Sequence, residues 1–501
     1  MNGPLTTTSS FQSAVSIAAD VTAGRVPARD VLATSLQRHH ADAVRLNALT
    51  QGRWSEAERD ARAIDDRVAA GAIGTAPLAG VPISVKECFA VRGCVTTLGI
   101  PSREACVDTE DAVIVSRLRH AGAIVIGKAN VPQAMYLHET SNPVWGTTRH
   151  PFDLNRSPGG SSGGDAALVA AGVVPLAVGN DLAGSLRQPA HACGIASIMP
   201  RTSVLGDGGA FNTMPSLRGV RSRAGFLARD VDDLALAAMA VGVTTTAEAG
   251  RPRRIAWWDD ANPIPPSPAV RRGVRDAVSR LAATGIETVQ VSADVATTAA
   301  WVLLGMLSAD GGDDIRRLFA GTRPMPDVAR LLAIAGVAPS VRPAMALALR
   351  CIGRQVESEA IVHTGRRSSA EFDDLMKARA ECAERFASIV EGCDAVVCPV
   401  SSLPALPHGA AARLVLAASP CLLANLLDLP AGAVPVTTVG RDEARTRSWS
   451  LDPVLRAAAA ADRGSAGLPI GVQVIGCPGA TEGTVLATMR LIAAHGVVSR
   501  P

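Results

Sequence analysis

Apolar and polar positions change period several times along this chain, and the changes mark its elements. Between residues 10 and 72 the period is helical: Phe11, Val15, Ile17 and Ala18 form one stripe, and a second segment starting at Val26-Pro27 carries Val31, Leu32 and Leu36. Residues 53–70 place Glu, Arg and Asp at spacings suited to a solvated helix face. From Gly80 the period becomes two. Val81, Ile83 and Val85 alternate with Pro82, Ser84 and Lys86, which predicts a strand. Residues 110–121 predict a helix, Ala123–Ile126 a buried strand, Asp165–Ala171 a short helix and Val173–Val178 another apolar strand. Strands alternating with helices predict an α/β layered fold.

Two stretches interrupt this rhythm. Residues 248–268 are rich in Pro and Arg and enclose a predicted strand at Ile255–Trp258; they read as a seam inside one large unit. Residues 439–466 read as a long surface excursion. The predicted organisation is an N-terminal helical region over 1–75 packed on a core unit over 76–501, without internal repeats.

Composition narrows the function classes. Of 501 residues, 48% are hydrophobic and 19% charged, enough for a large core. Aromatics are 3% and the net charge is +3, which argues against stacking platforms and polyanionic partners, so no nucleic acid is expected. The start Met1-Asn-Gly-Pro lacks a basic n-region and an apolar run, and no long apolar stretch predicts a membrane span. The ten cysteines form no Cys-x-x-Cys pair and read as free, mostly buried thiols of a cytoplasmic protein, with no metal site.

Three segments carry candidate chemistry. Lys86 ends the alternating strand and is either a partly exposed strand residue or a buried amine; burial would lower its pKa and make it a base. Gly159-Gly-Ser-Ser-Gly-Gly164 matches Gly-x-Ser-x-Gly but follows Pro151–Pro158, which is loop chemistry, so it is no nucleophile elbow. It reads either as a flexible turn or as a rigid loop bringing Ser161 and Ser162 to a reacting group. Asp181–Arg187 follows a buried strand; its small residues allow backbone N–H groups around Ser185 to converge on one point, and Asp181 and Arg187 can pair to brace the loop. A serine beside a deprotonated lysine is a nucleophile made without histidine. His191 leaves a Ser-His-Asp arrangement open, with a structural role favoured, and His39-His40 reads as a helix surface pair. Gly122–Lys128 nearly spells a phosphate loop, but its middle is strand-like and Ala129 lacks the metal-binding hydroxyl.

These segments form a recognisable set together with Gly127–Gln133, Ser141–Gly146, Pro399 and Gly467–Gln473, with Lys86 and Ser161 75 positions apart and Ser161 and Ser185 24 apart. The set resembles the amidase signature family, and within it the fatty acid amide hydrolase-like branch. The resemblance implies a mixed sheet of about eleven strands between helical layers. It implies a Ser–cis-Ser–Lys triad: Ser185 as nucleophile, Ser161 after a cis peptide from Gly160 as proton bridge, and Lys86 as base. Ser162, Asp181 and Arg187 would support it. The N–H groups of Leu182, Ala183, Gly184 and Ser185 would hold the oxyanion, and Met135, Tyr136, Leu137 and Gly160 would meet the substrate. The implied activity is hydrolysis of a carboxylic amide through an acyl-enzyme, with no cofactor.

Two departures stand out. The usual Thr-Asp-x-Gly-Gly-Ser is Asn180-Asp-Leu-Ala-Gly-Ser185, so Ala183 brings a methyl group that a positive φ would strain, and the usual Gly-Leu-Lys-Pro-Thr is Ser197-Ile-Met-Pro-Arg201. Transfer of the acyl group to an amine, and a ligand-binding member without catalysis, remain open alternatives. A homodimer is compatible with the pattern. So is a membrane contact through residues 326–350, but Pro339 and Pro343 interrupt its apolar face and favour helices packed over the site.

Overall fold

A computed structural model describes residues 12–243 and 250–494. Phe11 of the first stripe, the N-terminal residues, and residues 248 and 249 of the seam lie outside it.

One sheet of eleven strands organises the molecule. From edge to edge the strands are Leu49–Gly52, Ile124–Ala129, Pro82–Lys86, Leu176–Asp181, Arg223–Ala228, Ala196–Met199, Ala431–Thr438, Pro469–Gly476, Ala395–Pro399, Arg254–Trp257 and Glu287–Gln290. Pairing is parallel among Ile124–Ala129, Pro82–Lys86 and Leu176–Asp181, and antiparallel through the centre, so the sheet is mixed. Every residue of Pro82–Lys86, Ile124–Ala129 and Leu176–Asp181 is buried, because helices cover both faces of the sheet.

The predicted elements appear with shifted ends. The helix at 110–121 is Val113–His120, the short helix is Gly163–Ala170, and the strand at 173–178 is Leu176–Asp181. The N-terminal region departs from a purely helical reading: Leu49–Gly52 pairs antiparallel with Ile124–Ala129 as an edge strand. It is four residues long and half exposed, too short to show alternation. The seam holds Arg254–Trp257, which pairs with Ala395–Pro399 and Glu287–Gln290 inside the sheet. The excursion at 439–466 contains the helix Pro453–Asp462, capped by Asp452 and buried through Val454, Ala458 and Ala461.

Residues 326–350 fold as two helices, Pro326–Ala335 and Arg342–Cys351, with the chain bent by 83° across the break between them. Among the described residues no single helix is long and apolar enough to cross a membrane. The second helix leaves Leu347 exposed, as is Ile352 just beyond its end.

Two neighbouring parallel strands position the site. Lys86 is the last residue of one and Asp181 the last of the other, so both strands end at the same edge of the sheet. Helices Gly163–Ala170 and Arg187–Cys193 follow the two serine loops directly.

Candidate active site

Lys86 is fully buried at its strand end. Its Nζ lies 2.7 Å from Ser161 Oγ, 2.6 Å from Asn180 Oδ1 and 3.4 Å from the Asn180 carbonyl. Desolvation holds the amine below its usual pKa, against the opposing pull of Cys88, Asp165 and Asp181. Asp165 is buried too and accepts from Ser84 Oγ at 2.7 Å; burial pushes its carboxyl well above the usual carboxylate range.

Ser161 follows a cis peptide bond from Gly160. The next residue, Ser162, donates its N–H to the Ser185 carbonyl at 3.2 Å, which sets residue 185 against the glycine–serine loop. Ser162 Oγ reaches the Asn180 carbonyl at 3.5 Å.

Asp181 and Arg187 pair as a buried, two-pronged ion pair, Nη2 to Oδ1 at 3.0 Å and Nε to Oδ2 at 3.1 Å. The Arg187 guanidinium also donates to Asn425 Oδ1, Gln473 Oε1 and the Cys421 carbonyl. Burial alone would raise the Asp181 pKa, but the charge and hydrogen bonds of Arg187 reverse the shift and hold it well below the carboxylate range. Asp181 further accepts from the Gly184 N–H at 2.7 Å and the Leu186 N–H at 3.0 Å. The expectation that Gly184 would face the oxyanion is therefore corrected: Asp181 has taken its N–H. Among the described residues, the N–H groups of Leu182, Ala183 and Ser185 have no acceptor. The loop's positive φ falls at Gly184, +97°, and not at Ala183, so the extra methyl group is accommodated without left-handed backbone.

A cavity of about 250 Å³ opens onto Ser185. Met135, Tyr136 and Leu137 line it, together with Leu182, Ala183, Leu304, Ile334 and Val356. Burial raises the Tyr136 phenol to about 12, so it stays protonated. Helix Pro326–Ala335 is tied to this wall by the Met325 N–H, which donates to Gln133 Oε1 at 2.7 Å. Gly160 is not in the wall. Its N–H donates to Gln188 Oε1 at 3.0 Å, and its α-carbon packs on the backbone of residues 137–139, where an added Cβ would lie 2.8 Å from the Leu137 carbonyl.

The decoys resolve as structure. Lys128 is a buried strand residue bound to the Val95 carbonyl, Thr96 Oγ1 and Asp108 Oδ2. His191 uses Nε2 toward the Leu403 carbonyl at 3.0 Å and Nδ1 toward Gly471, so neither ring nitrogen is available to a serine. His39 and His40 open the wide helical turn His39–Ala43 at the end of helix Ala28–Arg38, His40 exposed and His39 half-buried beside Trp54, a helix surface pair as read. Among the described residues no cluster of His, Cys, Asp or Glu could hold a metal ion. Two site residues escaped sequence reasoning. Asn180 stands at the head of the Ser185 segment, where its place beside Asp181 was the available signal. His138, which touches the Ser185 loop through the Ala183 carbonyl at 3.1 Å, carries no motif of its own.

Fold and site together define an α/β enzyme with a buried lysine and two serine loops at one sheet edge. Comparison with known proteins supplies the family. A family model described as "Amidase" matches residues 30–486. The chain is 32% identical over 434 residues to fatty-acid amide hydrolase 1 of Sus scrofa, covering 81% of this chain and 74% of that protein. It is 28% identical over 471 residues to fatty acid amide hydrolase 1 of Caenorhabditis elegans, covering 87% and 80%. A solved fatty acid amide hydrolase superposes with a TM-score of 0.80 at 21% identity, covering 97% of this chain and 85% of that one, which shows a shared fold. The chain belongs to the amidase signature family, and it is an amidase, a hydrolase of carbon–nitrogen bonds in amides.

Proposed function

We propose that the protein is a serine amidase that works through an acyl-enzyme on Ser185, with Ser161 and Lys86 as its proton relay. One observation carries the reading: the surroundings of Lys86 Nζ. A neutral amine has two N–H groups and one lone pair. The side-chain and backbone oxygens of Asn180 take the N–H groups, which leaves the lone pair for the Ser161 hydroxyl at 2.7 Å. Desolvation favours that neutral form.

In the first half-reaction Ser185 Oγ attacks the amide carbonyl as its proton passes through Ser161 Oγ to Lys86 Nζ. The developing oxyanion is met by the N–H groups of Leu182, Ala183 and Ser185. Collapse breaks the C–N bond, and the Lys86 ammonium returns its proton through Ser161 to the departing amine. Water then repeats the sequence and releases the acid. The Asp181–Arg187 pair and Ser162 hold the loops. The apolar wall of Met135, Leu304, Ile334 and Val356 suits an amide with an apolar acyl chain.

Replacement of Ser185 by Ala, assayed on a panel of acyl amides of different chain length, tests the reading. Loss of turnover by at least about 1,000-fold supports it. Wild-type turnover in the variant would end it.

A further inference from the structure

The Ala183–Gly184 peptide is held at both ends. Its carbonyl accepts from His138 Nε2 at 3.1 Å, and its N–H donates to Asp181 Oδ1 at 2.7 Å. A carbonyl oxygen only accepts, so Nε2 carries a proton. Burial pushes the His138 pKa down to about 4, so the ring is a neutral donor at neutral pH.

His138 is itself fixed by its neighbours. The backbone of residues 137–139 packs on Gly160, where an added Cβ would lie 3.2 Å from the His138 carbonyl carbon. Thr140 Oγ1 donates to the Gly159 carbonyl at 2.8 Å, and Glu139 accepts from the Gly409 N–H at 2.7 Å. The imidazole thus reaches from the Ser161 loop across to the Ser185 loop.

That span matters because of Gly184. A glycine at φ +97° lets the preceding peptide rotate with little steric resistance. Rotation of the Ala183–Gly184 peptide would re-aim the N–H groups on either side of it. Asp181 restrains the peptide nitrogen; only a donor on the other side restrains the oxygen, and His138 is that donor.

We propose that His138 is a positioning residue for the oxyanion site: by holding the Ala183 carbonyl it keeps the Ala183 and Ser185 N–H groups aimed into the cavity. The inference rests on the Ser185 reading above. It acts on the charged transition state, and because the His138 ring also lines the cavity, rescue by a second donor separates this role from the space the ring fills. The sequence held no motif for it.

The test compares H138F, which fills the space without a donor, and H138Q, which restores an N–H, with wild type and S185A. The readouts are hydrolysis of a medium-chain acyl p-nitroanilide, the rate of Ser185 labelling by an alkyl fluorophosphonate, and Tm. The expected result for H138F is a kcat and a labelling rate each about 10- to 100-fold lower. H138Q recovers most of both rates. If phenylalanine is not accommodated, H138L serves as the donor-free variant. A folded donor-free variant that turns over and labels at the wild-type rate overturns the inference, as does a loss that glutamine fails to recover. Wild-type protein that neither hydrolyses the anilide nor labels at Ser185 instead overturns the Ser185 reading, and the inference with it.

Discussion

Lys86 Nζ and Ser161 Oγ lie 2.7 Å apart with neither residue open to solvent. A charged ammonium there would be desolvated without a carboxylate in contact, so the neutral amine is the favoured form. Lys86→Met removes the base while keeping the apolar length of the side chain. The expected loss in kcat is about 1,000-fold or more. In the wild type, activity rises with pH as Lys86 loses its proton, because the deprotonated form is the active one. The midpoint of that limb lies below the ordinary lysine value of 10.5. Steady-state kinetics across pH check both statements, and a limb centred at or above 10.5 would refute the assignment of Lys86 as base.

Asp181 and Arg187 are buried together, each with its remaining hydrogen bonds satisfied inside the protein. Asp181→Ala leaves a buried guanidinium without its counter-charge and frees the Gly184 and Leu186 N–H groups. The expected destabilisation is about 3–5 kcal/mol. Urea unfolding measures it, and a loss under about 1 kcal/mol would show that the pair is not what holds the loop.

That Lys86, Ser161 and Ser185 gather at one place was legible in the sequence, because each sits in a short segment with its own residue pattern. The alternation of Val81, Ile83 and Val85 marked the strand that delivers Lys86. Other features were not legible for physical reasons. The order of the sheet depends on long-range pairing, such as Ala431–Thr438 beside both Ala196–Met199 and Pro469–Gly476, which no local period encodes. Leu49–Gly52 was too short and too exposed to announce a strand. Gly184 offered its N–H as readily as its neighbours until the Asp181 carboxylate was placed in space. His138 lay between Leu137 and Glu139 with nothing in the pattern to separate it from a surface histidine.

His150 gives a pH signature for stability. It is fully buried, its Nε2 donates to the Ala192 carbonyl at 2.8 Å, and its Nδ1 accepts from the Phe152 N–H at 3.2 Å. Desolvation lowers its pKa from 6.5 to about 4. The unfolded chain therefore binds the proton first as pH falls, so stability declines between pH 6.5 and about 4. The size of this single contribution is about 3 kcal/mol. His150→Gln flattens the slope of Tm against pH in that window; an unchanged slope would contradict the neutral, buried assignment.

Ile334 lies on the helix that walls the cavity. Ile334→Trp adds bulk to this wall while leaving Lys86, Ser161 and Ser185 themselves unaltered. The expected result is a KM for long acyl amides raised at least about tenfold while short acyl amides are nearly unaffected, a loss of apolar contact worth about 1.4 kcal/mol or more. A chain-length series measures the split, and equal losses for short and long chains would remove this helix from the acyl path.

The central claim is that Ser185 forms the covalent intermediate. Intact-protein and peptide mass spectrometry on protein quenched during turnover of an acyl anilide measures it directly. The predicted result is a mass increase equal to the acyl group, mapped to the peptide bearing Ser185 and missing from Ser185→Ala. Turnover with no adduct on Ser185, or an adduct mapped to Ser161 or to a cysteine, would contradict it.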